Sequence, residues 1–135
     1  MVVWGIIRRS MSGRLSALSD IHLDSNVLAA LQDVMEDEYP VLLDTFLLDS
    51  EERLLGLHQA ERAADAQALR LAAHSFKGSC SNMGALMLAG LCKQLEEAGR
   101  REQLELAPEL VEQIEREFAI VRILMKSERQ RYRHS

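Results

Sequence analysis

The sequence predicts an all-α fold, an up-down antiparallel four-helix bundle with a short additional N-terminal helix. The 135 residues include only two prolines and 4% aromatic residues, and the abundance of Leu and Ala favours helices over strands. Apolar residues recur every three or four positions along most of the chain, which is helical spacing. The links between the predicted helices are short, so consecutive helices should be antiparallel neighbours.

Length and charge exclude several classes of protein. The chain is long enough for one domain with its own core, and 47% hydrophobic residues exclude a disordered chain. A net charge of −5 argues against a nucleic-acid partner, which would call for a basic face. The first apolar run, residues 2–7, precedes two Arg, the wrong order for a signal peptide, and no stretch approaches the roughly 20 residues that span a membrane. We therefore expect a cytoplasmic protein without a membrane partner. A bundle that can bury its own core is expected to be a monomer, although the long last helix leaves room for a dimer.

Three segments are predicted along the chain. Residues 1–19 carry three Arg and no acid, and they are predicted to form a flexible leader. Residues 20–130 form the helical domain, and residues 131–135 form a C-terminal tail.

The first two helices follow the leader. One spans about 24–35, with Asp24 or Ser25 as its N-cap. The second starts near Pro40, which suits a first turn, and runs to about residue 64. The apolar positions of these two helices are Val27, Leu28, Leu31 and Met35, then Leu43, Phe46, Leu47, Leu54 and Leu57.

Three more helices complete the domain. Asp65 is the predicted N-cap or linker before the third, which runs to about Met83 and is ended by Gly84. Gly99 is predicted to end the fourth, and Pro108 to begin the fifth. Their apolar positions are Leu88, Leu91, Cys92 and Leu95, then Leu110, Val111, Ile114, Phe118, Val121, Leu124 and Met125.

His74 is the most informative residue of the third helix. On a helical wheel Phe76 lies at the centre of the apolar face. His74 lies about 160° from Phe76 and therefore points outward. Lys77 and Gly78 follow one turn later. A glycine inside a helix costs roughly 1 kcal/mol relative to Ala. The Lys77 cation beside an exposed imidazole suits a phosphoryl group. The absence of a side chain at Gly78 leaves room for a docking protein.

The fourth helix offers a partner for His74. A hairpin about residues 84–85 places residue 95 or 96 level with the imidazole. The carboxylate of Glu96 could then accept a hydrogen bond from one ring nitrogen and leave the other free to attack phosphorus. A solvated surface glutamate is the alternative.

These residues carry a resemblance to a known family. The run H-S-F-K-G-S-C-S-N-M-G-A at 74–85 resembles the signature of histidine-containing phosphotransfer (HPt) domains, roughly H-x-L-K-G-S/A-S/A-x-x-x-G-A. The run L-A-G-L-C-K-Q-L-E-E-A-G-R at 88–100 is similar to the family's second stretch, L-x-x-L-C-x-x-L-E-x-x-G-R. Phe76 and Cys80 depart from the pattern, both on the core face.

The resemblance implies a phosphorelay intermediate of the stand-alone bacterial type. His74 would accept a phosphoryl group from the phospho-Asp of a hybrid sensor kinase's receiver domain and pass it to the Asp of a response regulator. Lys77 would offset the phosphate charge, and the chain would be a carrier without kinase or ATPase activity. It would need no cofactor, because the receiver brings Mg²⁺. The predicted docking residues on the His74 face are Gln67, Arg70, Leu71, Gly78 and Ser81.

Two other functions remain open at this point. The chain could be the phosphoacceptor domain of a chemotaxis-type kinase, which shares the His-x-x-Lys-Gly core. It could also be a docking module that is not phosphorylated, although the intact set of His74, Lys77 and Gly78 speaks against this.

The remaining features predict structure more than chemistry. Cys80 and Cys92 lie on core faces about three residues out of register, so we expect buried free thiols. No Glu-x-x-His pair and no phosphate-binding loop motif occurs, so neither a metal nor ATP site is predicted. Residues 33–52 hold eight acids and no base, and we expect a solvated acidic face, with partner choice as the alternative.

Overall fold

The computed structural model describes residues 21–132, and within that range it contains α-helices, two 3₁₀ turns and no strand. The helices are α1 (Ser25–Met35), α2 (Tyr39–Arg62), α3 (Ala66–Asn82), α4 (Leu86–Arg100) and α5 (Ala107–Gln130). The 3₁₀ turns, Glu36–Glu38 and Leu104–Leu106, lead into α2 and α5. The predicted leader at 1–19 and the last three residues lie outside the described range.

The four long helices pack as a ring. α2 contacts α3 and α5, and α4 contacts α3 and α5. Their inward faces form one apolar core, whose largest fully buried side chains include Tyr39, Phe76, Leu43, Leu57, Leu69, Leu88, Leu95 and Ile114. The short helix α1 sits at one end, where the Asp24 amide donates to the Gly84 carbonyl at 2.9 Å. The predicted all-α bundle with an additional N-terminal helix is confirmed.

The predicted helix starts are confirmed as well. An Asp24 carboxylate oxygen accepts from the Asn26 amide at 2.9 Å, and an Asp65 oxygen accepts from the Ala68 amide at 3.0 Å. Each bond satisfies a backbone donor that the first turn leaves free. Pro40 and Pro108 lie in the first turns of α2 and α5. No helix between residues 25 and 130 is both long and apolar enough to cross a membrane.

The two glycines predicted to end helices have different roles. Gly84 has φ +76° and ends the turn after α3, as predicted. The prediction for Gly99 is wrong, because α4 continues through Arg100 and the left-handed residue is Glu102, with φ 56°. A Cβ at Gly99 would lie 2.8 Å from the Ala66 carbonyl oxygen. Gly99 therefore allows α4 to approach the start of α3 closely.

The two cysteines are buried and free, as expected. A hydrogen bond from the Cys92 thiol, together with burial, raises the pKa of Cys80, so the two thiols are in contact. The three-residue offset predicted from the hairpin register concerns the backbone positions and does not exclude this contact. Helical side chains tilt toward the N-terminus of their own helix. That tilt moves the two sulfurs toward each other on antiparallel helices.

Two substitutions on α4 test the close approach at Gly99. We expect Gly99→Ala to lower the free energy of unfolding by roughly 1–3 kcal/mol, because the new methyl meets backbone atoms. Gly90→Ala is the matched control: a Cβ there meets nothing within 4 Å, so we expect about 0.5–1 kcal/mol of added stability. Urea denaturation followed by circular dichroism measures both. Equal effects of the two substitutions would contradict the assigned contact.

Candidate functional site

His74 lies in the middle of α3 on its outward face. The helix buries Leu69, Ala73, Phe76 and Cys80 on the opposite side, which fixes the rotation of α3 in the bundle. The His74 side chain is 66% exposed, as the helical wheel predicts. An imidazole in the middle of a long, well-packed helix is both accessible and held in place.

A buried carboxylate from α4 binds one nitrogen of this ring. His74 Nδ1 lies 2.7 Å from Glu96 Oε2, and the Glu96 side chain is 8% exposed. An ionised carboxylate only accepts hydrogen bonds, so Nδ1 is the nitrogen that carries the proton. Nε2 then holds a lone pair, and it has no hydrogen-bond partner within residues 21–132. The contact predicted between His74 and Glu96 is present.

Lys77 binds the second oxygen of the same carboxylate. Its Nζ lies 2.6 Å from Glu96 Oε1, and its side chain is 29% exposed. The Arg100 guanidinium stands 3.7 Å from Oε2. The Lys77 hydrogen bond, aided by that of His74 and opposed by burial, lowers the pKa of Glu96 below its usual value. Glu96 is thus an ionised group that joins an imidazole to a lysine.

The predicted docking residues lie before and after His74 along α3. Gln67, Leu71, Gly78 and Ser81 are exposed, whereas Arg70 is half-buried and lies against Gly99. A Cβ at Gly78 would meet nothing within 4 Å. Packing therefore does not require a glycine at this position, and the surface beside the imidazole is open.

Two polar contacts near His74 were not predicted. Arg53 on α2 donates from Nη1 to the hydroxyl of Ser75, the residue after His74. Arg100 approaches the same Glu96 oxygen as the imidazole. The Arg53 contact depends on how α2 is rotated against α3, and no local sequence pattern gives that rotation. Arg100 could have been found from its i,i+4 spacing to Glu96.

A second histidine–glutamate pair shows what distinguishes the first. His22 Nδ1 lies 2.6 Å from Glu117 Oε2, and the Glu117 side chain is 6% exposed. The His22 side chain is only 23% exposed, and no Lys or Arg of residues 21–132 pairs with Glu117. His22 thus joins the start of the described chain to α5, whereas His74 combines the same bond with exposure and a neighbouring cation.

The geometry defines what this surface can do chemically. It presents a nucleophilic nitrogen of fixed tautomer, held on a rigid helix with an ammonium group one turn away. Within residues 21–132 no group of three or more His, Cys, Asp and Glu side chains is placed to hold a metal ion.

Comparisons with known proteins agree on one family. A family model described as Hpt domain matches residues 41–123, which include His74, Lys77 and Glu96. The structure is similar to the crystal structure of histidine-containing phosphotransfer protein B (HptB) from Pseudomonas aeruginosa PAO1, with a TM-score of 0.81 and 73% sequence identity. That similarity covers 82% of this chain and 96% of the other. Among curated proteins no match was found.

The ionised state of Glu96 predicts a pH dependence of stability. Its pKa in the folded chain is lower than the ordinary value of 4.5, so its contribution is fully present above 4.5 and is lost as the pH falls through the folded value. We expect the difference in unfolding free energy between the natural chain and Glu96→Gln to be constant from pH 7 to about 5.5 and to shrink below pH 4.5.

Urea denaturation at several pH values measures this difference. Glu105→Gln removes an exposed carboxylate and controls for the general loss of a negative charge. A Glu96→Gln difference that stays constant down to pH 3 would contradict the assigned ion pair.

Proposed function

The chain belongs to the Hpt family and has a role in histidine phosphotransfer in two-component signalling, and we propose that it is a phosphorelay intermediate that carries the phosphoryl group on His74. The observation that supports this most directly is the exposed imidazole whose Nδ1 is bound by a buried carboxylate. His22 makes the same kind of hydrogen bond to a buried glutamate, but its side chain is much less exposed. His74 therefore meets the requirements of a phosphoacceptor better than His22 does.

The proposed transfer needs no proton movement on this chain. The Nε2 lone pair attacks the phosphorus of a phospho-Asp on a receiver domain. The N–P bond forms, and the P–O bond to the aspartate breaks. The departing electron pair stays on the aspartate carboxylate. The ring becomes positively charged, and its Nδ1 proton stays on the hydrogen bond to Glu96, which would stabilise that charge. Transfer to the next receiver is the same step in reverse.

Lys77 is the proposed neighbour of the phosphoryl group. Its ammonium lies one helical turn from His74 and is tethered to Glu96 at 2.6 Å. An ammonium is a compact point charge on a flexible stem. It could therefore remain on Glu96 while its field offsets the negative charge of the phosphoryl oxygens. Glu96 would then orient both groups without contacting phosphorus.

We propose receiver domains as the partners, first of a hybrid sensor kinase and then of a response regulator. The receiver would supply Mg²⁺ and the phospho-Asp, so this chain would act as a carrier without a cofactor or ATPase activity of its own. The exposed Leu71 and Gly78 offer an apolar, open surface next to the imidazole. We also propose a cytoplasmic location, where the chain would share a compartment with these receivers.

The similarity to HptB favours a separate carrier over a kinase segment, since it covers 96% of a chain described as a phosphotransfer protein. The set of His74, Lys77 and Glu96, joined by two short hydrogen bonds, disfavours a docking module that is not phosphorylated.

Label transfer tests the phosphoacceptor. Incubated with ³²P-phosphorylated receiver domains encoded in the same genome, the natural chain should gain label that is labile in acid and stable in alkali. We expect His74→Gln to abolish this label. The matched control, His58→Gln, removes another partly exposed histidine and should retain full labelling. Absence of label from every receiver, or label that persists in His74→Gln, would refute the proposal.

Gly78→Gln tests whether the open surface serves docking. The new side chain meets no protein atom near its Cβ, so we expect the fold to persist. Transfer from a receiver should slow at least about tenfold, because the side chain stands one turn from the imidazole. Gly90→Gln, at another open helical glycine, should leave the rate unchanged. The same rate for both variants in rapid-quench measurements would contradict a docking role.

A further inference from the structure

A groove between α2 and α5 lies outside the His74 site. It encloses a cleft of about 460 Å³ whose lining includes Leu54, Leu55, Phe118 and Ala119. Phe118 forms part of its floor and is itself only 2% exposed. The His74 site is built on α3 and α4, so a partner in this groove would not occupy it.

Two ion pairs and one histidine–glutamate contact cross the groove at seven-residue intervals. Asp44 pairs with Arg129, Glu51 with Arg122, and His58 with Glu115. The three pairs fix one antiparallel register along α2 and α5. Residue 48 of α2 is therefore level with about residue 125 of α5.

Large apolar side chains remain exposed along this groove. Leu48 is 66% and Leu55 63% exposed on α2, and Ile123 is 68% exposed on α5. Val41 precedes Leu48 by seven residues and is 55% exposed. Seven-residue spacing on a helix is the pattern of a seam that packs against another helix. The ridge from Val41 to Leu55 is about 21 Å long, so a partner helix of similar length would fit it.

The charges beside the ridge specify the partner. Residues 39–52 of α2 contain four acids and no base, and residues 118–127 of α5 contain two bases and no acid. Asp44 and Glu51 already pair with Arg129 and Arg122 across the groove, so Asp49, Glu52 and Lys126 remain for a partner. A partner must therefore present bases over α2, an acid over α5 and apolar side chains between them. The α2–α5 face of a second copy meets all three requirements when it is rotated about an axis parallel to the helices. A perpendicular axis would instead place the acids of α2 on those of its copy.

We propose that a second copy of this chain binds the α2–α5 groove and forms a symmetric dimer. In it α2 of each copy lies over α5 of the other, and Leu48 packs near Ile123 of the partner. The sequence alone favours a monomer and leaves room for a dimer through the long last helix, so the mass measured at high concentration distinguishes the two. Because the apolar ridge is short and has charged residues beside it, the dimer should be reversible.

Sedimentation equilibrium of the full chain tests the dimer. We expect the average mass to rise from monomer toward dimer between about 10 μM and 1 mM. Leu48→Asp should raise the dissociation constant at least about tenfold, because a symmetric dimer loses the Leu48 contact at two places. Leu106→Asp alters an apolar side chain that is 46% exposed outside the groove and should have no effect. A monomer mass at 1 mM, or dimerisation that Leu48→Asp leaves unchanged, would overturn the proposal.

Oxidative cross-linking tests the orientation. The double variant Leu48→Cys, Ile123→Cys should form disulfide-linked dimers, whereas Leu48→Cys alone should not. Cross-linking of Leu48→Cys alone would show α2 against α2 and overturn the assigned axis. Circular dichroism of each variant verifies the fold. The proposal is independent of the phosphotransfer function, and Leu48→Asp should still accept label on His74.

Discussion

The Glu96 carboxylate is the group on which the candidate site depends, because both of its oxygens are used. One holds His74 Nδ1 and the other holds Lys77 Nζ. Burial removes the carboxylate from water, and the two donors replace the hydration that it loses. Removing Glu96 would free both side chains at once. The imidazole and the ammonium are therefore positioned as one unit.

The bundle supports this carboxylate through the packing of α3 on α4. Gly99 lets backbone approach backbone at the start of α3, and the Cys80–Cys92 contact closes the interface nearer the turn. Glu96 lies between these two points. The site consequently occupies the most closely packed pair of helices in the described structure, while the α2–α5 side is more open and carries charged pairs at its surface.

Much of the fold and part of the site could be predicted because they depend on local rules. The N-caps at Asp24 and Asp65, together with the apolar spacing, locate the helices. The helical wheel of α3 places His74 on the outward face. The register of the α3–α4 hairpin then suffices to place Glu96 next to His74. Other features depend on distances and rotations between helices: the close helix approach at Gly99, the Arg53–Ser75 hydrogen bond and the His22–Glu117 pair. The last of these joins residues 95 positions apart, and no pattern along the chain encodes such a contact.

The locality of the His74–Glu96 bond has a consequence for folding. The two residues are separated by only 22 positions, and Lys77 lies between them. Closing so short a loop costs little chain entropy, and contacts of small sequence separation form quickly. The arrangement can therefore assemble as soon as the α3–α4 hairpin does. Fraying of α1 or of the end of α5 would also leave it intact, so the reactive surface can outlast local unfolding elsewhere in the bundle.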